Sequence, residues 1–431
     1  MKGLIALIIF VVAYILLRQH NYKDALVCPI TQYLMWYTLC LFLAWLRLDG
    51  KNELSFENMS MNFISIIIVF LTFQFVMRVK SSVMYETEYV RAPIKISNTV
   101  LYIVAIISFG YSVYQFLNGT ALLYLSGLSA AEIRGEYLVN GSVFDSPMSY
   151  IIDEIFNGIR IVLMIIVTQR TLKGEIKSPF LMGLVVINVA IRSFVGSDRL
   201  FLFDFCFILL ISFINLGADQ LSEELLYKIK KNRRYIVGAA IIIGFIAVYF
   251  TRERQESISI ANALFGNISC GFQIFDVVKP KMDISGVQTM GITSLDGIFI
   301  IINCILAFLG LPQIENINEI NKYDVPFWNI GGENYFNGYM PYVSYFYLDG
   351  CWIGVVVGSI ALGVFFASVY KRFIYRKNDW DIFMYYMCVL VIVRTSLRFY
   401  FSRADFIWAI IIGAILFKSH RAITIGNRRI L

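Results

Sequence analysis

Arginine and aspartate recur in two stretches that are otherwise apolar enough for lipid. In VINVAIRSFVGSDRLFLFDF, Arg192 and Asp204 flank the turn Gly196-Ser197-Asp198-Arg199. At about 1.5 Å of rise per residue, both sit roughly 8 to 9 Å below that turn. Pairing across the hairpin would offset the ~2.5 to 3.5 kcal/mol that a lone charge costs near a bilayer centre. Arg199 has only its neighbour Asp198 as an acid, so it is open to a phosphate. The second stretch, RTSLRFYFSRADFIWAI, repeats the arrangement, with Arg394 and Arg398 spaced i, i+4 for one helical face and Arg403 and Asp405 at the turn. Snorkelling to headgroups accounts for Arg398 and Arg403. Arg394 lies deeper and needs a partner, which Asp153, Glu154 or a ligand could supply. Guanidinium is permanently protonated and binds phosphate oxygens in a planar fork. The expected site is therefore an outward-opening pocket for a phosphate-bearing lipid headgroup.

Further chemistry is legible in the loops. SAAEIRGEYLVNG carries Glu132, Arg134 and Glu136. This is either a solvated helix face or a phosphate ligand, Arg134, beside a carboxylate, Glu136, for a reacting hydroxyl. TRERQES places Arg252 and Arg254 at the membrane surface. GGENYFNGYMPYVSYFYLDG is dense in tyrosine. Its rings and amides suit sugars, and an interfacial aromatic belt explains the same residues. No Asp-x-Asp pair, nucleotide-binding glycine loop or His/Cys/carboxylate set with metal spacing occurs on the outer side. The chemistry is expected to be metal-independent and to need no cofactor.

These residues need an integral scaffold. The 431 residues are 58% hydrophobic, with mean hydropathy +0.69. Apolar runs near the ~20 residues of a spanning helix recur throughout. Eleven spans are expected, near 3–17, 27–46, 62–77, 98–117, 148–168, 179–195, 200–217, 236–250, 351–370, 382–399 and 406–417. Met1-Lys2 is barely basic, so the first reads as a span and not as a signal peptide. The net charge of +7 reflects placement. Lys and Arg concentrate in alternate loops, such as Lys228 to Arg234 and Lys371 to Lys377. That pattern puts the N-terminus outside and the C-terminus in the cytoplasm, and it excludes a nucleic-acid partner. The fold class is all-α, a single integral membrane domain over 1–431, with a smaller outer loop at 118–147 and a large one at 251–350. GIFIIINCILAFLG, near 297–310, is too short to span and is expected at the interface. Cys270, Cys304 and Cys351 lie on or near the outer side, where a disulfide can form. Both histidines, His20 and His420, fall on the cytoplasmic side.

The span plan, the Gly196-to-Arg199 turn and the run ENYFNGYMPYVSYFYLDGCWIGVVVGSIALG together resemble the O-antigen polymerases, the Wzy-type oligosaccharide repeat-unit polymerases of bacterial envelopes. The family's Asn, aromatic and Asp/Phe-Gly-x-x-Gly run is matched by Asn334, Tyr335, Tyr347, Asp349, Gly350 and Gly354. There are departures. An Arg followed eleven positions later by Gly, found in outer loops of some members, occurs here at Arg233 and Gly244 on the cytoplasmic side. The related O-antigen ligases use a large-loop histidine that this chain lacks.

The resemblance implies an inner-membrane glycosyltransferase. It would move a glycan from undecaprenyl pyrophosphate to the terminal hydroxyl of an incoming lipid-linked repeat unit at the periplasmic face, with a chain-length regulator as a further partner. Arg199, Arg398, Arg403, Arg192, Arg394, Arg134 and Arg254 would hold the pyrophosphate, and Glu136 or Asp198 would serve as base. Asn334, Tyr335, Tyr339 and Asp349 would contact sugars. The rival is a lipid-linked oligosaccharide flippase, for which charges near the membrane centre and an internal repeat would speak.

Overall fold

The computed structural model describes residues 26–79, 96–121, 125, 127, 147–176, 178–195, 200–220, 260–332, 334–336, 339–376, 378–417, 424–425 and 428–429. The expected spans at 3–17 and 236–250 lie outside these, as do Glu132, Arg134, Glu136, Asp198, Arg199, Arg252 and Arg254. The helices are α1 (Pro29–Trp45), α2 (Phe56–Arg78), α3 (Asn98–Gln115), α4 (Pro147–Leu172), α5 (Pro179–Val195), α6 (Leu200–Gln220), α7 (Ile260–Ser285), α8 (Asp296–Phe308), α9 (Asn321–Asp324), α10 (Tyr342–Tyr375), α11 (Asp379–Arg394) and α12 (Ala404–Phe417). A short antiparallel pair, β1 (Trp328–Asn329) with β2 (Tyr335–Phe336), stands between α9 and α10. Another, β3 (Thr424–Ile425) with β4 (Arg428–Arg429), follows α12.

Local signals start these helices where the chain needs them. Pro29 and Pro179 open α1 and α5 at the position where a missing N–H costs nothing. The side chains of Ser55, Ser97 and Asn378 accept from the first-turn N–H groups of α2, α3 and α11. Helices α2, α3 with its continuation to Asn118, and α10 are long and apolar enough to cross a membrane. Shorter apolar helices occur at Pro179–Val195, Phe201–Leu216, Thr293–Phe308 and Ala404–Phe417. The chain is an all-α membrane protein.

Helix α11 is buried on nearly every face from Phe383 to Arg394 and forms the bundle's axis. Helices α2 and α10 pack closely because Gly363 leaves room: a Cβ there would come within 2.8 Å of the Val69 carbonyl. The same contact zone holds a hydroxyl cluster of Tyr33, Ser65, Tyr342 and Ser359, with neighbouring oxygens 2.5 to 2.6 Å apart. Lys371 at the far end of α10 donates to the Val76 and Val79 carbonyls. Arg170 at the end of α4 donates to Ile96, just before α3. These basic ends therefore gather on one side.

The opposite end is capped by helix, not by an open loop. Gln273 of α7 donates to the Ala44 carbonyl at 2.7 Å, and Asn58 of α2 donates to Phe272. Gly271 lets α7 approach closely, since a Cβ would sit 2.8 Å from the Ser396 carbonyl. The 13-residue α8 is about 20 Å long, short of a bilayer core. Helix α10 breaks at Gly350 and Cys351, where Cys351 takes a left-handed φ of 50°. The span expected from 351 therefore starts at a real interruption. Its first turns fold over the preceding segment, and Phe346 occupies the space beside Gly354 and Gly358.

Candidate functional site

The capped end gathers buried ions, paired differently from the sequence expectation. Arg192 does not meet Asp204 across its hairpin. Its Nε donates to Asn157 Oδ1 at 2.8 Å and its Nη2 reaches Asp153 at 3.3 Å. Asp204 instead accepts from Arg394, at 2.9 Å from Nε and 2.7 Å from Nη2, and from the Tyr400 hydroxyl. Thus neither Asp153 nor Glu154 is the partner of Arg394. Depth matching within a hairpin failed because α11, the bundle's axis, brings Arg394 against α6, while α5 turns Arg192 toward α4. Both arginines also lie near aromatic rings: Arg192 over Phe201, Arg394 over Phe203 and Tyr400.

The shared face expected for Arg394 and Arg398 is also corrected, because α11 ends at Arg394. Although the Arg398 N–H still bonds the Arg394 carbonyl at 2.9 Å, the side chains part, one to Asp204 and the other toward Asp324. Residues 395–403 form an irregular segment with a short 3-10 turn at Tyr400–Ser402. It is pinned by two backbone bonds, from Met340 to the Leu397 carbonyl and from Tyr342 to the Thr395 carbonyl, each 2.8 Å. Arg398 and Arg403 project from this segment. Arg403 forms a two-point pair with Asp405, 2.9 Å from Nε and 2.6 Å from Nη2, and Asp405 also accepts from the Phe406 N–H. Arg398 lies 3.5 Å from Asp324. Their side chains remain 26% exposed for Arg398 and 18% for Arg403, against 1% for Arg394 and 8% for Arg192. The buried Nε of Arg398 has no hydrogen-bond partner among the described residues. Two of the expected phosphate ligands thus keep access, and two are enclosed.

Sequence reasoning missed Arg160, halfway along the 26-residue α4 and 1% exposed. It donates to Ser112 at 2.9 Å from Nη2, to Asn188 at 3.3 Å from Nε, and to Asn157. Asn157 Oδ1 therefore serves Arg160 and Arg192 together, and its amide donates to Asp153 at 3.1 Å. Asn188 donates onward to Ser108. This track across α3, α4 and α5 places a charge at mid-helix, so charge does not cluster only at one face. The signal was visible: Asn157, Arg160, Asn188 and Ser112 are polar residues within apolar runs.

The expected sugar contacts separate similarly. Asp349 caps the turn before α8, accepting from the Thr293 and Ser294 N–H groups at 3.0 and 3.1 Å, from Thr289 at 2.6 Å and from the Ser294 hydroxyl. Asn334 is buried, and its amide donates to the Gly331 carbonyl. Tyr339 is half-buried, while Tyr335 is half-exposed on β2. Cys270, Cys304 and Cys351 are free thiols, so no disulfide joins them. Among the described residues no cluster of His, Cys, Asp or Glu has the makings of a metal site.

Beside Arg398 lies Asp296, at the start of α8. Its Oδ1 accepts from the Asn318 N–H at 3.3 Å. Burial, reinforced by Asp349 and Asp324, pushes its carboxyl up to about 7, against the pull of the Asn318 N–H and Arg398. Asp283 of α7 moves the opposite way. Burial raises it, but hydrogen bonds from Lys279 and Tyr347 outweigh that and hold it below the usual range. Within one cap, then, one carboxyl keeps its proton near neutrality and another stays ionised.

Fold and site together define a helical membrane protein with an ion-paired end under a helical cap. Comparison of the chain with protein-family models, curated proteins and solved structures finds no match.

Proposed function

We propose that the protein is a membrane glycosyltransferase that polymerises undecaprenyl-pyrophosphate-linked oligosaccharide repeat units of a surface polysaccharide. In this reading eleven spans cross the bacterial inner membrane, the basic ends of α2, α4 and α10 face the cytoplasm, and the capped end faces the periplasm. The observation that carries it is the pair Arg398 and Arg403: two partly exposed arginines in one segment at the capped end. A pyrophosphate leaving group needs such donors aimed at its developing charge, and they act without a metal or cofactor. Tyr335, half-exposed, and Tyr339, half-buried, are the accessible members of the expected sugar contacts. The lipid-linked donor and acceptor are the partners.

A second reading, a lipid-linked oligosaccharide flippase, is favoured by Arg160, since a charge at mid-span is what a transport path requires. Against it, the track around Arg160 is closed: Ser108, Ser112, Asn157 and Asn188 are buried with it. The lack of a histidine beyond His20 and His420 weighs against a ligase. Deleting the gene in its source organism and resolving the surface glycan on a gel tests all three. A ladder reduced to a single attached unit supports polymerisation. Loss of even that unit, with lipid-linked units accumulating on the cytoplasmic leaflet, would establish the flippase instead, and accumulation on the outer leaflet the ligase.

A further inference from the structure

The two base candidates expected from sequence, Glu136 and Asp198, lie outside the described residues. That leaves, on the membrane helices at the capped end, the four carboxylates Asp153 and Glu154 of α4, Asp204 of α6 and Asp405 of α12. Three are fully engaged. Asp153 accepts from Gln115 at 2.7 Å, Asn157 and Arg192. Asp204 is held by Arg394 and Tyr400, and Asp405 by both donors of Arg403 and the Phe406 N–H. An oxygen already accepting two strong donors has little basicity left for a substrate proton. Glu154, one residue beyond Asp153 on α4, differs. It is partly exposed and makes no hydrogen bond or ion pair among the described residues.

Its place in the fold can be fixed from its neighbours. One helical turn away on the same face, Gly158 abuts α12: a Cβ there would lie 2.8 Å from the Trp408 Cβ and 3.0 Å from the Asp405 carbonyl. Glu154 is thus about 5 to 6 Å further toward the capped end, beside the N-terminus of α12. Its charged neighbours are Asp405, Arg403, Asp153 and Arg192, and Tyr150 and Cys304 respond to its charge. Gly297 at the head of α8 closes the other side, since a Cβ there would meet the Arg403 carbonyl at 2.4 Å. The one carboxylate of this group without a partner therefore adjoins a partly exposed arginine, between α4, α8 and α12.

We propose that Glu154 is the general base that deprotonates the acceptor sugar hydroxyl. This rests on the polymerase reading. As the hydroxyl oxygen bonds to the anomeric carbon of the donor sugar, its proton passes to the Glu154 carboxylate. The anomeric carbon–oxygen bond to the pyrophosphate breaks, and the electron pair leaves with the lipid pyrophosphate. The two Nη1 protons of Arg403, which Asp405 does not engage, face that charge. Glu154 then returns its proton to water.

The test complements the deletion strain with wild type, Glu154→Gln and Glu154→Asp, reading the glycan ladder, lipid-linked repeat units and membrane abundance by immunoblot. Glu154→Gln keeps the shape but not the basicity, and is expected to cut polymer at least ~100-fold at wild-type abundance, with lipid-linked units accumulating. Glu154→Asp, its carboxylate withdrawn by one methylene, is expected to give a short, faint ladder. A wild-type ladder from Glu154→Gln overturns the assignment of Glu154 while leaving the polymerase reading intact. If Glu154→Gln fails to accumulate, Glu154→Asp decides, and a full ladder from it overturns the assignment. An undisturbed ladder in the deletion strain itself removes the polymerase reading and Glu154 together.

Discussion

Two sets of arginines share this bundle and are built to opposite specifications. Arg160, Arg192 and Arg394 are enclosed, and named side chains of α3, α4 and α6 take up their donors. Arg398 and Arg403 stand on an irregular segment, partly exposed, each beside one carboxylate. The difference lies in backbone as much as in charge. A guanidinium on a helix in the bundle interior is surrounded by neighbours that must satisfy it, because an unsatisfied group there costs several kcal/mol. One on the segment after α11 has a side open to ligand. The enclosed set holds the helices together, and the accessible set can do chemistry.

Breaking the enclosed set should have the largest effect. Asp204→Ala leaves Arg394 buried without its carboxylate, a loss of about 3 to 5 kcal/mol by analogy with other buried pairs. The expected outcome is protein missing from the membrane by immunoblot; normal abundance would mean that Arg394 is not enclosed as described. Changing the accessible set should cost less, because the arginines themselves reach solvent even though Asp324 and Asp405 do not. Because those two carboxylates are buried, Arg398 and Arg403 are replaced by Gln, with abundance followed by immunoblot. Each variant is expected to shorten the glycan ladder per molecule of protein in the membrane, and the double variant to leave single units. Arg160→Met sharpens the contrast within the enclosed track. It leaves the Ser112 hydroxyl oxygen short of a donor at about 1 to 3 kcal/mol, while Asn188 Oδ1 keeps the Ser112 hydroxyl, so thermal stability in detergent should drop while polymer made per molecule stays constant. A change in chain length at constant stability would instead move Arg160 into the functional set.

The smallest effect is a pH dependence in the cap. Asp296 titrates near 7 when folded, against an ordinary value of 3.8. Between about pH 4 and 7 the unfolded chain therefore binds fewer protons than the folded one, and stability falls as pH rises across that window. Asp296→Asn should flatten this slope and raise stability above pH 7, read from melting curves at several pH values. An unchanged slope would mean that Asp296 is solvated and that α8 sits more loosely on the segment bearing Arg398.

Helix identity was legible from apolar length, and the start of the last long helix at residue 351 was placed at a true break. The ion pairs were not. Pairing Arg192 with Asp204 assumed that the partners lie within one hairpin at equal depth, yet Arg192 pairs back with Asp153 on α4 and Asp204 pairs with Arg394 on the distant-in-sequence α11. Such packing is not encoded in spacing. Arg394 and Arg398 looked like one helical face because RTSLRFYF has no Gly or Pro to end a helix. What ends it is tertiary: the Met340 and Tyr342 N–H groups capture the Leu397 and Thr395 carbonyls. Asp349, which looked like a sugar ligand beside tyrosines, proves to be a cap for the turn before α8. Glu154 was legible only as one of the partners open to Arg394, since its value lies in the contacts it does not make.

The most direct test of the division between the two sets is binding of undecaprenyl pyrophosphate to purified protein in nanodiscs, comparing wild type, the Arg398→Gln/Arg403→Gln double variant and Arg160→Met. Expected is at least a ~10-fold weaker Kd, worth about 1.4 kcal/mol, for the double variant alone. Unchanged binding in the double variant, or a loss confined to Arg160→Met, would contradict the division and place the anion site inside the bundle.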